Sequence, residues 1–402
     1  MLTTHTNITG LLTAVALASL AGGCAALDHD TVAIHDAPAG SLTANQPASA
    51  ANDKPEAPLP KATAPRALSP NATRVSFSEE GSDFDPCVSR DGEKIVFAST
   101  QHRHSADLYL KRVHTRAVTQ LTSGGSDNVM PSISPDGQRV AFSSNRNGNW
   151  DVFVMSIGGG QPVQITGDSA DEIHPSWSPD AKQMIFSRLG ETSGRWEMWV
   201  TDVQNPATST FIGYGLFPQW CPVAATGEGG SDKILFQLSR DRGKRTFGLW
   251  TIDYANATGR NLTEIAAEPE KALINPTWSP DGRWICFAEI SAEHLAAEDA
   301  PKGGSDSRLP ASASLWMISA DGTGRVNLAS GGASLMPTWG PDDRVYFVSN
   351  RGGYENIWSV NTGGAILAAT GQQPAASNAS ASPPSHDQPV AEAPQPKESH
   401  ER

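Results

Sequence analysis

Positive charge is what this sequence has least of. Lys and Arg number 30 against 43 Asp and Glu, giving a formal net charge of −13 over 402 residues. A nucleic-acid binder works through basic patches that displace counterions from phosphate, so that class is excluded. Cysteine is rare too. Four in the whole chain cannot staple a disulfide-dense scaffold. Long hydrophobic runs are missing: the apolar stretch Leu11–Leu20, LLTAVALASL, is about half of what crosses a bilayer. The apolar fraction of 38% is below the roughly 45–50% of globular chains, so part of the chain is expected not to fold.

What the sequence does have begins at the N-terminus. Residues 1–24 contain no Lys, Arg, Asp or Glu, and a charge-free apolar start reads as a secretory signal. It ends Ala21-Gly22-Gly23-Cys24, which resembles the lipobox of bacterial lipoproteins. That resemblance implies lipidation at Cys24 and attachment to the membrane only through the lipid. Residues 25–72 and 372–402 are rich in Ala, Pro and Ser, without apolar periodicity. Neither could bury enough surface to offset chain entropy, so they read as a disordered tether and tail. The folded part is expected at 73–371, as one domain.

Within it one phrase recurs: PCVSRDGEKIVF from Pro86, PSISPDGQRVAF from Pro131, PSWSPDAKQMIF from Pro175, PTWSPDGRWICF from Pro276 and PTWGPDDRVYF from Pro337. A degraded copy begins at Pro218 and resumes at KILF. The leading prolines are 45, 44, 43, 58 and 61 residues apart, the interval of a four-stranded propeller blade. Six copies predict an all-β fold, a six-bladed β-propeller of four-stranded antiparallel blades. In each unit an inner-strand apolar residue (Val88, Ile133, Trp177, Trp220, Trp278, Trp339) precedes the turn, which reads Ser-Pro-Asp-Gly in two units and departs from it in the other four. Pro presets φ in that turn and Gly takes the left-handed position. A second strand ends in Phe97, Phe142, Phe186, Phe236, Phe287 or Phe347. A third carries Tyr109, Phe153, Trp199, Trp250, Trp316 or Trp358. Two insertions stand out, a hairpin insert near Pro222–Asp232 and a long loop near Ser291–Ala313 that reads as disordered. Thr73–Phe77 is expected to supply the outer strand of the last blade, with Ala365–Thr370 competing for that role.

The repeated W-S-P-D-G phrase, with S-N-R-x-G at Ser144–Gly148 and Ser349–Gly352, resembles the propeller repeat of TolB-like proteins over about 73–371. The resemblance implies a non-enzymatic propeller of the Gram-negative envelope that binds a Pal-like lipoprotein. It also implies an N-terminal α/β domain, where this sequence has only low-complexity chain. The same repeat occurs in prolyl-oligopeptidase-like peptidases and oligogalacturonate lyases. A peptidase needs a G-x-S-x-G elbow, and none is present. A lyase needs converging histidines, and the candidates are His102, His104, His114 and His174.

Eight of the 11 Trp sit at repeat anchors and read as blade packing. Trp150 and Trp196 are left where a ligand could meet them. Cys87, Cys221 and Cys286 stand where other units carry small residues, and a Cys221–Cys286 disulfide is conceivable. The residues preceding each leading Pro, Asp85, Met130, His174, Phe217, Asn275 and Met336, should ring the channel. Together with Arg146, Trp150, Trp196, Arg351 and Tyr354 they form the candidate partner-binding face; plain inner-strand packing is the competing explanation for the ring. The expectation is a monomeric exported protein of the periplasm or outer membrane, without catalysis, cofactor or metal, that binds an envelope protein or peptide. A carbohydrate-binding or metal-dependent sugar lyase propeller is the alternative.

Overall fold

The Ser-Pro-Asp-Gly turns show why these residues fold as they do. In four units the Ser hydroxyl donates to the Asp carboxylate two residues on, at 2.5–2.7 Å, from Ser89, Ser134, Ser178 and Ser279. The same hydroxyl accepts the N–H five residues on, at 2.9–3.0 Å. The Ser carbonyl accepts the N–H three residues on, which closes the reversal. Side chain and backbone therefore cooperate to pin each hairpin in one register.

A computed structural model describes residues 72–239, 246–291, 310 and 312–371. The signal, Cys24, the tether, the tail and most of the Ser291–Ala313 loop lie outside the described residues. Blade 1 holds β2 (Asp83–Val88), β3 (Lys94–Ser99), β4 (Asp107–Arg112) and β5 (Val118–Gln120). Blade 2 holds β6 (Asn128–Ile133), β7 (Arg139–Ser144), β8 (Asp151–Ser156) and β9 (Val163–Gln164). Blade 3 holds β10 (Glu172–Trp177), β11 (Gln183–Leu189), β12 (Trp196–Asp202) and β13 (Ser209–Tyr214). Blade 4 holds β14 (Leu216–Trp220), β15 (Asp232–Ser239), β16 (Phe247–Ala255) and β17 (Thr258–Ala266). Blade 5 holds β18 (Lys271–Trp278), β19 (Trp284–Ser291), β20 (Ser314–Ser319) and β21 (Val326–Ala329). Blade 6 holds β22 (Ser334–Trp339), β23 (Arg344–Ser349) and β24 (Asn356–Asn361), and its fourth strand is β1 (Thr73–Arg74).

The ring therefore closes through the N-terminal strand. Thr73 pairs with Ser359 and Arg74 with Trp358, antiparallel. The competing segment is instead a helix, α1 (Gly363–Thr370). It begins where the Thr362 N–H donates to the Asp343 carbonyl, and Ala365 packs into the blade 5–6 core. The hairpin insert of blade 4 lies between Trp220 and Asp232, as expected, and contains a 3₁₀ turn at Glu228–Gly230.

The repeated aromatics meet directly. Phe97 faces Tyr109, Phe142 Phe153, Phe186 Trp199, Phe236 Trp250, Phe287 Trp316 and Phe347 Trp358, each as cross-strand partners. Such pairs are the unit of sheet stabilisation. A guanidinium caps the pair in four blades: Arg146, Arg188, Arg325 and Arg351, at 4.4–5.6 Å from ring centroids. The conceivable Cys221–Cys286 bridge is not formed. Both cysteines are buried free thiols in different clusters, and Cys87 is free as well.

Two turns lack the Gly of the repeat; in blade 6 Asp343 takes its place at φ 56°. Ala181 occupies the Gly position at φ 59°, where a Cβ costs about 1–2 kcal/mol. Ala181→Gly is expected to stabilise the protein by about 0.5–1 kcal/mol, after the extra unfolded-state freedom of Gly is subtracted. A urea midpoint that stays put or falls would show that this turn stores no strain.

Candidate functional site

All six inner strands are bulged at the same place. Register shifts fall between Phe84 and Cys87, Val129 and Ser132, Ile173 and Ser176, Leu216 and Gln219, Ile274 and Thr277, and Leu335 and Thr338. Each bulge is an X-Pro dipeptide. Pro has no N–H to lose from the ladder, which suits it to the extra position. Pro also denies the preceding residue the right-handed helical region that an ordinary bulge would use. The chain takes the left-handed region instead. Asp85, Met130, His174, Phe217, Asn275 and Met336 all have φ between 49° and 62°.

Three of the N–H groups freed from the ladder are taken up by side chains of the preceding blade. Met130 donates to Asp85 Oδ2 at 3.0 Å, His174 to Ser143 Oγ at 3.1 Å and Asn275 to Gln237 Oε1 at 2.9 Å. Indole N–H groups add to this stitching: Trp177 donates to the Ser132 carbonyl and Trp278 to the Gln219 carbonyl. The strained residues therefore hold neighbouring blades together as well as line the channel.

Between them is a cavity of about 90 Å³, bounded by the six residues and five of their prolines. All six residues line this cavity, and they lie deeper than a rim. Asp85, Met130, Phe217 and Asn275 are buried, and His174 and Met336 are half-buried. Burial pushes the Asp85 carboxyl up to about 7, against the pull of the Met130 N–H. Burial also pushes His174 down to about 3, so its ring is neutral where it packs on Phe217 at 3.9 Å.

The flanking residues divide. Met130, Phe217 and Trp150 belong to one apolar cluster, with Trp196 and Met336 packed against it. Trp150 is buried, which leaves it no free face for a sugar. Arg146 and Arg351 are committed internally. Arg146 donates to Ser144 Oγ and Asn128 Oδ1, and Arg351 to Ser349 Oγ and Ser334 Oγ. Tyr354, 50% exposed, reaches solvent. Gln219 and Cys87 also line the cavity and were missed; each lies just past a bulge, so the repeat register could have found them.

The histidines of the lyase alternative do not converge. His102 and His104 are on the exposed loop between β3 and β4, His114 is at the other end of β4, and His174 is in the channel. Among the described residues no three His, Cys, Asp or Glu side chains are grouped to hold a metal ion.

Asp85 gives the channel a pH signature. Its folded pKa lies above its ordinary value, so its stabilising contribution is complete below about pH 4 and is lost as pH rises through about 7. Asp85→Asn is expected to leave the melting temperature nearly unchanged at about pH 4 and to raise it at about pH 8. Equal melting-temperature shifts at both pH values would exclude a buried, proton-holding Asp85.

Comparisons with known proteins agree with this architecture. The family described as TolB beta propeller domain, PD40, matches residues 66–212. A TolB homolog protein from Chlorobium luteolum is 30% identical over 118 residues, covering 24% of this chain and 27% of that protein. A Tol-Pal system protein TolB from Francisella tularensis subsp. tularensis is 28% identical over 267 residues, covering 64% of this chain and 54% of that protein. The chain thus spans about half or less of the length of these curated relatives. A solved structure from Agrobacterium tumefaciens assigned to TolB superposes with a TM-score of 0.51 at 20% identity, over 70% of this chain and 90% of that one. At that identity it speaks for the fold alone. The six blades, their shared bulge and the N-terminal closing strand make the chain a six-bladed β-propeller, and its residues 66–212 match the TolB propeller family.

Proposed function

We propose that this propeller is a non-enzymatic binding module of the bacterial envelope that takes a protein or peptide partner at the mouth of its channel. The observation that supports this most is the choice of residues at the strained ring. Asn, Asp and His tolerate the left-handed region; Met and Phe do not. Yet Met130, Phe217 and Met336 occupy it, at φ 51–55°. Strain kept in every blade at one position is a mark of a functional site. Here it directs apolar side chains into the channel, continuous with Trp150 and Trp196. Tyr354, on the loop between β23 and β24, is open to solvent. An apolar centre with a polar margin is the anatomy of a protein interface.

The envelope setting rests on the charge-free apolar start and on the Tol-Pal name of the Francisella relative. On this reading residues 1–24 are the export signal, Cys24 carries the lipid, and 25–72 tether a monomeric propeller in the periplasm or at the outer membrane. No helix of the described residues is long and apolar enough to cross a membrane. A Pal-like lipoprotein is the partner that the relatives suggest.

The test is crosslinking capture from envelope fractions, with the mass of the mature N-terminus measured on the same sample. Met336→Asp with Tyr354→Ala is expected to cut capture of the wild-type partner about tenfold or more, with the melting temperature held as a folding control. Undiminished capture by a variant that keeps its melting temperature would falsify the channel-mouth assignment.

A further inference from the structure

Away from the channel, the seam where the ring closes gathers the charge that the sequence is short of. A cleft of about 340 Å³ lies between blade 6 and blade 1. Five of its lining side chains can be cationic: Arg74, Lys111, His114, Arg116 and Arg344. One acid lines it, Asp342, and that carboxylate already accepts the Tyr346 hydroxyl at 2.8 Å. Among the described residues, none of the four Lys and Arg side chains forms an ion pair. This concentration stands out in a chain of net charge −13.

The cations are held in place. Lys111 is only 5% exposed, and its ammonium donates to the Val75 carbonyl at 2.7 Å, leaving two of its three donors uncommitted. Arg74 donates to the carbonyls of Ser76 and Ser78. Arg344 donates twice to Ser359 Oγ. Phe77, 48% exposed, is flanked by two guanidinium groups, with Arg74 at 5.3 Å and Arg116 at 4.9 Å from its ring centroid. Stacking of this kind fixes the orientation of a guanidinium and leaves its edge donors free. Burial holds the Lys111 ammonium below its ordinary value; Asp83 opposes this, and Arg116 adds to it by a smaller amount.

We propose that this cleft is a binding site for a ligand whose charge is carried on phosphate. A single carboxylate is satisfied by one guanidinium, whereas several cations converging against one acid match a multiply charged anion. The cleft is larger than a lone phosphate needs, so the ligand carries a further group. Two sources share this chemistry: a soluble phosphorylated compound and the headgroup of an anionic phospholipid.

His114 and Arg116 lie on the exposed β4–β5 loop, so His114→Ala with Arg116→Ala removes charge without touching the core. The full chain is titrated calorimetrically with inorganic pyrophosphate, and separately sedimented with phosphatidylglycerol and with phosphatidylcholine vesicles. Saturable binding of pyrophosphate, weakened about tenfold in the double variant and by added salt, supports the site. Binding to phosphatidylglycerol vesicles alone, lost in the variant, supports it with a lipid headgroup as the source. Binding of neither probe, or equal binding by wild type and variant, overturns it.

Discussion

A propeller blade is a small sheet with two apolar faces, and neither can be buried without a neighbour. Every other feature follows from that constraint. The six sheets hide their faces only in a closed ring, and closure here rests on two residues, Thr73 and Arg74, laid against β24. Hydrogen bonds beyond the strand reinforce it. The Val75 N–H donates to the Ile357 carbonyl, and the Ser78 N–H to Asn356 Oδ1. Residues some 280 positions apart are joined before the blades between them gain their full burial. Such a contact is entropically costly to form and is rewarded all at once.

The closed ring also explains how the channel can hold six strained residues. Each left-handed X-Pro bulge is unfavourable alone, on the order of 1 kcal/mol. In the ring, the freed N–H of three of them finds an acceptor on the preceding blade: Met130 at Asp85, His174 at Ser143 and Asn275 at Gln237. The bulge therefore converts a defect within one sheet into a bond between two. Its side chain is turned into the channel as a consequence. Strain, inter-blade adhesion and the lining of the candidate site are one feature viewed at three levels.

Much of this was legible because repetition compares the sequence with itself. Six prolines in register fixed the inner strands, and six aromatic pairs fixed the second and third. The pairs proved to be direct cross-strand partners. The closing strand was legible only as one of two candidates, since Thr73–Phe77 sits where a fourth strand precedes the next unit but Ala365–Thr370 competed for the place; the strand that forms is Thr73–Arg74. The positive φ of the ring was not legible. A residue before Pro gives no sign of a bulge until its partner strand is known. Arg146 and Arg351 looked available because their loops are at the surface. Their guanidinium groups instead lie over aromatic pairs within their own blades, where planar cation and ring attract.

The seam was invisible for the opposite reason. Its cations come from the N-terminal strand, from β4 and the loop after it, and from β23, so no window of sequence shows a basic cluster. Repetition would not have exposed it, because the seam is where the repeat is broken. One blade there borrows its outer strand from the far end of the chain. The neighbouring side chains are freed from the pattern that governs the other five junctions. Arg74 sits in a fourth strand that comes to its blade from the far end of the chain. Lys111 reaches across to the carbonyl of Val75, on the chain that follows this strand. A ring of similar blades offers similar surfaces between them, and a distinctive binding surface on its flank is easiest to build where that similarity ends. At the seam, charge scarce elsewhere in the chain is concentrated with almost no opposing acid, while the channel carries one buried carboxyl and a neutral imidazole. The two regions therefore present different surfaces: the channel mouth offers shape and apolar contact, the seam offers charge.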